Sequence, residues 1–130
     1  MIVLDASVAF EWLIQTMAGR AIGGRLFSPG ETLHAPHLLD AEVCQALRRA
    51  VAAQHLTYSR AAQALGRLHS FRIRRYAHRP FLQRVWELRG NLTAYDALYV
   101  ALAEGLDATL LTRDGKLASA PGHRAQIELV

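Results

Sequence analysis

Four carboxylates stand where the sequence predicts that a buried element begins or ends. Asp5 follows the apolar run Met1–Leu4, Asp96 lies in the first turn of a helix that is apolar on almost every side, and Asp114 comes shortly after another apolar run. Glu42 falls at the edge of an apolar helical stripe, where an ionised carboxylate is costly unless it is paired or bound to metal. These four residues are the candidates for chemistry.

Their chemistry depends on whether the fold brings them together. Carboxylates that meet without a counter-charge repel one another, so at least one must take up a proton unless a cation enters. Oxygen ligands without histidine or thiolate favour Mg²⁺ or Mn²⁺ over Zn²⁺. Such an ion activates water and stabilises the charge that develops on phosphate. The pattern therefore predicts a divalent-metal site that hydrolyses phosphodiester bonds.

Each carboxylate also has a simpler local explanation. Asp5 could cap the helix that follows it, and Glu42 could form an ion pair with a nearby arginine. Asp96 ends the segment Thr93–Asp96, which resembles a capping box with Asp in place of Glu. Asp114 precedes Gly115 in an ordinary turn sequence. These local roles are the alternatives to one shared site.

The elements that must position these residues alternate between short apolar strands and helices, without hairpin signals. Strands are predicted at Met1–Leu4, Leu33–Ala35, Phe71–Tyr76, Thr109–Leu111 and Gln126–Leu129. Helices are predicted at about 7–17, 20–27, 36–53, 57–69, 80–89, 94–104 and 116–118, with Gly19 and Gly105 closing two of them. This order predicts an α/β fold with a parallel sheet, whose carboxyl edge is where ligands bind.

Composition is typical of a single globular domain spanning residues 1–130. With 52% hydrophobic and 20% charged residues, the chain can bury a core, which excludes a disordered protein. No apolar run approaches the roughly 20 residues of a membrane span, and Cys44 has no cysteine partner. We therefore expect a cytoplasmic protein.

Motifs of other enzyme classes are missing from the sequence. It has no phosphate-loop, dinucleotide-binding, zinc-protease or serine-hydrolase motif, and its six histidines lack metal-ligand spacing.

Basic residues are concentrated in one stretch. The chain carries 15 Lys+Arg against 11 Asp+Glu, a net charge of +4, and residues 67–89 hold many of the arginines together with four aromatic side chains. Arginine matches phosphate oxygens, and aromatic and guanidinium faces stack on unpaired bases. The RNA-binding candidates in this stretch are Arg72, Arg74, Arg75 and Arg79. The alternative is an ordinary solvated face.

Four segments closely resemble the PIN-domain ribonucleases, and VapC-type toxins in particular. They are Met1–Ser7, Ala35–Val43, Leu92–Ala97 and Leu111–Asp114, in the family's order along nearly the whole chain. The resemblance implies a three-layer α/β/α sandwich that cleaves RNA with magnesium or manganese. It also implies a homodimer that a cognate antitoxin protein holds inactive.

The resemblance assigns roles to residues as well. It implies that Asp5 and Asp96 are the principal metal ligands and that Glu42 and Asp114 complete the acidic cluster. By the same motifs, Ser7 and Thr112 are polar residues beside the cluster. Asp40, a second acid near Glu42, has no role in this pattern, and we expect it to be exposed.

Two other functions remain as alternatives. A haloacid-dehalogenase-type phosphohydrolase also begins with a strand that ends in Asp, but its motif requires a second Asp where this chain has Ser7. A non-catalytic RNA-binding module would explain the arginines and leave the four carboxylates without a role. Metal-dependent cleavage of RNA separates the three, because the phosphohydrolase would release phosphate from small esters and the binding module would do neither.

Overall fold

The computed structural model describes all residues, 1–130, and contains a five-stranded sheet in which every strand pair is parallel. The strands are β1 (Ile2–Leu4), β2 (Leu33–Pro36), β3 (Ile73–Tyr76), β4 (Thr109–Thr112) and β5 (Gln126–Leu129). They lie in the order β3-β2-β1-β4-β5, so the first strand of the chain is the central one. All three residues of β1 are fully buried, as expected for a parallel strand that is covered on both faces.

Helices cover the sheet. They are α1 (Ala6–Leu13), α2 (Met17–Leu26), α3 (Leu38–Ala52), α4 (Tyr58–Ser70), α5 (Leu82–Glu87), α6 (Ala94–Leu106) and α7 (Gly115–Ser119). Helix α1 packs against α2, α3 and α4, whereas α6 packs against α5 and lies on β1, β2 and β4. The predicted three-layer α/β/α sandwich is confirmed.

Helix α6 is the most enclosed helix of the chain. Every residue from Ala97 to Ala103 is buried, because one side of the helix packs on the sheet and another on α5. Its end differs from the prediction, since the helix continues through Gly105 to Leu106. Asp107, in the left-handed conformation with φ 50°, ends it instead. A Cβ on Gly105 would lie 3.2 Å from the ring of Phe81, so close packing rather than helix termination explains this glycine.

The predicted first helix is also shorter than expected. It ends at Leu13 rather than continuing to residue 17, because Gln15 takes a positive φ of 58°. The hydroxyl of Thr16 then accepts the backbone N–H of Gly19 and caps α2. Gly19 itself lies against α1, where a Cβ would be 2.0 Å from the carbonyl oxygen of Glu11. The two helices therefore meet at a corner that only glycine permits.

Candidate active site

Asp5 lies at the carboxyl edge of the sheet, directly after the central strand β1. Its backbone N–H donates to the carbonyl of Leu111 on β4, which ties the residue to the neighbouring strand. Although Asp5 occupies the N-cap position of α1, its side chain makes no capping hydrogen bond. Instead its Oδ2 atom accepts hydrogen bonds from Ser7 Oγ at 2.6 Å and from Thr112 Oγ1 at 2.7 Å. The simple capping explanation therefore does not account for this side chain.

The same two hydroxyls also hold the loop after β4. Ser7 Oγ accepts the backbone N–H of Arg113 at 3.1 Å, and Thr112 Oγ1 accepts that of Asp114 at 3.0 Å. Each hydroxyl thus donates to Asp5 and accepts from this loop. Since Thr112 is fully buried, the arrangement has little freedom to move. Asp5 and the loop that carries Asp114 are consequently fixed relative to each other.

Glu42 extends from α3 and is half-buried. It forms no ion pair with an arginine, and its Oε2 atom accepts a hydrogen bond from the Tyr99 hydroxyl at 2.5 Å. Burial raises the pKa of Glu42, the hydrogen bond from Tyr99 opposes this shift, and the negative charges of Asp5 and Asp96 raise the pKa further. These charge effects place Glu42 within electrostatic reach of the other two carboxylates.

Asp96 lies in the first turn of α6 and is also half-buried. Thr93 caps this helix by accepting the backbone N–H of Asp96 at 3.1 Å. Burial raises the pKa of the Asp96 carboxyl, the Thr93 hydroxyl opposes it, and the charges of Asp5 and Asp114 raise it again. The cap of α6 is thus supplied by Thr93, and the carboxylate of Asp96 lies within electrostatic reach of Asp5 and Asp114.

Asp114 has a local role as well as a place in this group. Its side chain accepts the backbone N–H groups of Lys116 and Leu117 and so caps the short helix α7. The predicted helix at 116–118 is therefore present as α7, which spans Gly115–Ser119. Asp114 is exposed, and its charge acts on Asp96. Capping and membership of the acidic group are compatible at this position.

Ion pairing separates these four residues from most other acids of the chain. The acids paired with a basic group are Glu11, Glu31, Asp40, Glu87, Glu104 and Glu128. Of the 11 acids in the sequence, the unpaired remainder is Asp5, Glu42, Asp96, Asp114 and the helix-terminal Asp107. Mutually repelling oxygen ligands without a basic partner suit a hard divalent cation. As the side chains stand, however, no three of the chain's Asp, Glu, His or Cys residues enclose a common metal position.

Comparisons with known proteins identify the family of this chain. The family model of the PIN domain matches residues 2–122. Over 130 residues the chain is 47% identical to Ribonuclease VapC12 of Mycobacterium tuberculosis, covering 100% of this chain and 99% of the relative. The chain belongs to the PIN-domain family of VapC-type ribonucleases.

Solved structures show the same fold in more distant proteins. The sarcin-ricin loop cleaving toxin VapC20 of Mycobacterium tuberculosis superposes with a TM-score of 0.67 at 16% identity, covering 92% of this chain and 94% of that one. VapBC2 from Rickettsia felis, bound to a DNA fragment of its promoter, gives a TM-score of 0.69 at 15% identity, with coverage of 99% and 98%. No helix of this PIN domain has the length and apolar character that crossing a membrane would require.

The arginine-rich stretch of this PIN domain divides into structural and free side chains. Arg75 donates two hydrogen bonds to Asp40, at 2.7 and 2.8 Å, and this carboxylate raises the pKa of the guanidinium. Asp40, which is partly exposed, thereby receives a structural role, and Arg75 is committed to it. Arg72, Arg74 and Arg79 are exposed and have no acidic partner, with Arg74 lying 5.4 Å from the ring centre of Tyr76.

The place of each free arginine relative to β3 shows at which edge of the sheet it lies. Because all strands are parallel, Arg79, which follows β3, is at the same edge of the sheet as Asp5. Arg72 precedes β3 and lies at the opposite edge. Of the RNA-binding candidates, Arg79 is thus on the side of the acidic group.

One contact of the site was missed in the sequence, namely the hydrogen bond from Tyr99 to Glu42. Tyr99 is the polar-tipped residue in the buried part of α6, three positions after Asp96. A buried tyrosine hydroxyl needs a hydrogen-bond partner, and residues three apart share a helix face. A tyrosine in the buried part of the helix, on the same face as Asp96, was therefore the feature of the sequence that could have predicted this contact.

Proposed function

We propose that this chain is a metal-dependent endoribonuclease, the toxin of a VapBC-type pair, and that Asp5, Glu42, Asp96 and Asp114 bind Mg²⁺ or Mn²⁺. The observation that carries the proposal is the unpaired state of these four carboxylates in a protein whose other acids, Asp107 excepted, are all ion-paired. Membership of the VapC-type ribonucleases supports it. When bound, the metal would activate water and stabilise negative charge on the scissile phosphate.

The chain's own residues hold that site in place. Ser7 and Thr112 orient Asp5, Tyr99 orients Glu42, and Thr93 fixes the first turn of α6 and so the backbone at Asp96. Arg79, at the same edge of the sheet and unpaired, is available for RNA phosphates beyond the cleaved bond. The chain thus supplies the metal ligands, the residues that orient them and an arginine beside them for RNA.

Partners follow from the family in the same proposal. The Rickettsia felis structure is a VapBC2 complex. We infer that this chain likewise binds a cognate antitoxin protein and that it acts as a homodimer. Co-expression with a candidate antitoxin encoded beside its gene, followed by copurification and a mass measurement in solution, tests both inferences.

Cleavage of a mixed RNA pool tests the enzyme itself. We expect cleavage with Mg²⁺ or Mn²⁺, none in EDTA, and at least about a hundredfold loss in Asp5→Asn and Asp96→Asn, since an amide keeps the shape of the side chain and removes the anionic ligand.

The matched control is Asp107→Asn. Asp107 is the unpaired acid at the other end of α6, and its positive φ is one that asparagine also adopts. This variant should cleave like the wild type. Cleavage that persists in EDTA, or equal activity of the Asp96 and Asp107 variants, would contradict the metal site. RNA binding without cleavage would favour the non-catalytic module.

A further inference from the structure

Tyr99 places a hydroxyl in the most enclosed helix of the protein. The residue is 1% exposed, and its hydroxyl makes a single hydrogen bond, to Glu42 Oε2 at 2.5 Å. This bond joins residues 57 positions apart in the sequence and connects α6 to α3. A buried tyrosine hydroxyl would be costly without such a partner. The only polar atom of the Tyr99 side chain is therefore bonded to one oxygen of Glu42.

Tyr99 and Asp96 act from the same side of α6. They are three residues apart, so their side chains lie on one face of the helix. Helix α6 thus carries one candidate metal ligand itself, and it touches a second one through the tyrosine. A small shift of α6 would move both together.

The hydrogen bonds at Glu42 and Asp5 follow the same pattern. At Glu42, Oε2 is held by a hydroxyl and Oε1 has no hydrogen-bond partner. At Asp5, Oδ2 is held by two hydroxyls, from Ser7 and Thr112, and Oδ1 has none. Glu42 Oε1 and Asp5 Oδ1 are both in contact with solvent. The only side-chain atoms of this protein that are buried without a hydrogen bond are the two ring nitrogens of His123. One oxygen of each carboxylate is fixed and the other remains accessible.

We propose that Tyr99 is a positioning residue of the metal site: its hydroxyl fixes Oε2 of Glu42 and so leaves Oε1 oriented for a divalent cation, as Ser7 and Thr112 do for Asp5. The inference rests on the proposed function, because it concerns the same site. Partners that orient a metal ligand commonly control metal affinity without touching the metal.

Replacing Tyr99 by phenylalanine tests this role, because it removes the hydroxyl and keeps the ring. The measurement is the Kd of the free protein for Mn²⁺, determined by calorimetry without RNA. We expect binding about tenfold weaker in Tyr99→Phe, the lower end of the loss that such partners cause in metal sites. Tyr58→Phe is the matched control, since Tyr58 is 83% exposed on α4 and lacks a hydrogen-bond partner for its hydroxyl.

Two further variants separate positioning from simple packing. With 4-aminophenylalanine at position 99, which keeps a donor, affinity should return close to that of the wild type. In a Glu42→Gln background, adding Tyr99→Phe should cause no further loss. A second tenfold loss in that background, or failure of the amino variant to restore binding, would overturn the inference.

The outcomes also distinguish this inference from the proposed function. If the wild type binds Mn²⁺ and Tyr99→Phe binds it equally well, the role of Tyr99 is overturned and the metal site stands. If the wild type binds no Mn²⁺, the metal site is overturned, and the role of Tyr99 with it.

Discussion

The carboxylates of this protein differ in their surroundings, and their pKa values shift in opposite directions. The hydrogen bonds from Arg84 hold the pKa of Glu104 below its ordinary value, despite burial. At Glu42 and Asp96, burial and neighbouring negative charges raise the pKa. A raised carboxyl pKa means that the folded state loses stability when the group ionises. Without a cation at the proposed site, this repulsion makes the folded protein less stable than its packing alone would make it.

Asp96→Asn should reveal that repulsion. In EDTA near neutral pH, we expect the variant to be more stable than the wild type by about 1 kcal/mol after solvent screening, or ~3 °C in Tm for a domain of this size. Saturating Mn²⁺ should raise the Tm of the wild type more than that of the variant. Thermal melts of both proteins in both conditions provide the measurement. A variant that melts lower in EDTA would mean that Asp96 stabilises its helix end instead.

The pH dependence of this difference has a definite sign. Because folding raises the pKa of Asp96 above its ordinary value, this carboxyl binds more protons in the folded wild type than in the unfolded chain, in the window between the two pKa values. The contribution of the Asp96 carboxyl to the stability of the wild type therefore falls as pH rises through that window. The Tm advantage of Asp96→Asn in EDTA should shrink toward zero at the acidic end and reach its full size above the window.

Helix α6 connects the site to the rest of the fold through its two ends. Its first turn carries Asp96, whereas Glu104 in its last turn is held by Arg84 of α5 through two hydrogen bonds, at 2.7 and 3.0 Å. Glu104 also accepts the backbone N–H of Arg124 before β5. With its side chain only 7% exposed, Glu104 depends on these donors. The position of α6, and with it Asp96 and Tyr99, is thereby coupled to an ion pair at the opposite end of the helix.

Arg84→Ala should accordingly destabilise the protein by about 3 kcal/mol, because it leaves a nearly buried carboxylate without its charged partner. Chemical denaturation measures the loss. Adding Glu104→Gln should recover part of it, since the amide needs no counter-charge. A loss below about 0.5 kcal/mol, the range of exposed surface substitutions, would contradict this assignment.

Arginines without an acidic partner and carboxylates without a basic partner occupy different parts of the molecule. The net charge is +4, and exposed arginines such as Arg74 and Arg79 have no acidic partner. An RNA strand could therefore contact arginine along one part of the surface while the carboxylates hold metal at another.

The salt dependence of RNA binding measures this contribution. Replacing both Arg74 and Arg79 by alanine should weaken binding and reduce the slope of log K against log salt by about 1.4, or about 0.7 for each phosphate contact with a single strand. Arg48→Ala with Arg49→Ala, which removes two exposed arginines outside the arginine-rich stretch, should leave the slope unchanged. Equal slopes in both double variants would make the stretch an ordinary solvated face.

The sequence was sufficient for the fold class and for the order of strands and helices along the chain, because both depend on local apolar patterns that the structure repeats. The role of the four carboxylates stays a prediction. The sequence was insufficient where the structure of a segment depends on contacts with residues far away along the chain. The packing of α2 on α1 depends on Gly19 lying against Glu11, and the pairing of Arg75 depends on Asp40, 35 positions earlier. The partner of Glu42 lies 57 positions away on another helix. Pairings of this kind are set by packing in three dimensions, which local periodicity does not encode.

The central position of β1 determines when, during synthesis, the proposed site can form. Asp5 is synthesised 107 positions before its partner Thr112, which belongs to a strand that must dock beside β1. While the residues between them are being made, a nascent chain carries Asp5 without the hydroxyl that holds it. The sheet edge that bears the proposed site can form only after β4 has left the ribosome and paired with β1, so translation itself delays the nuclease.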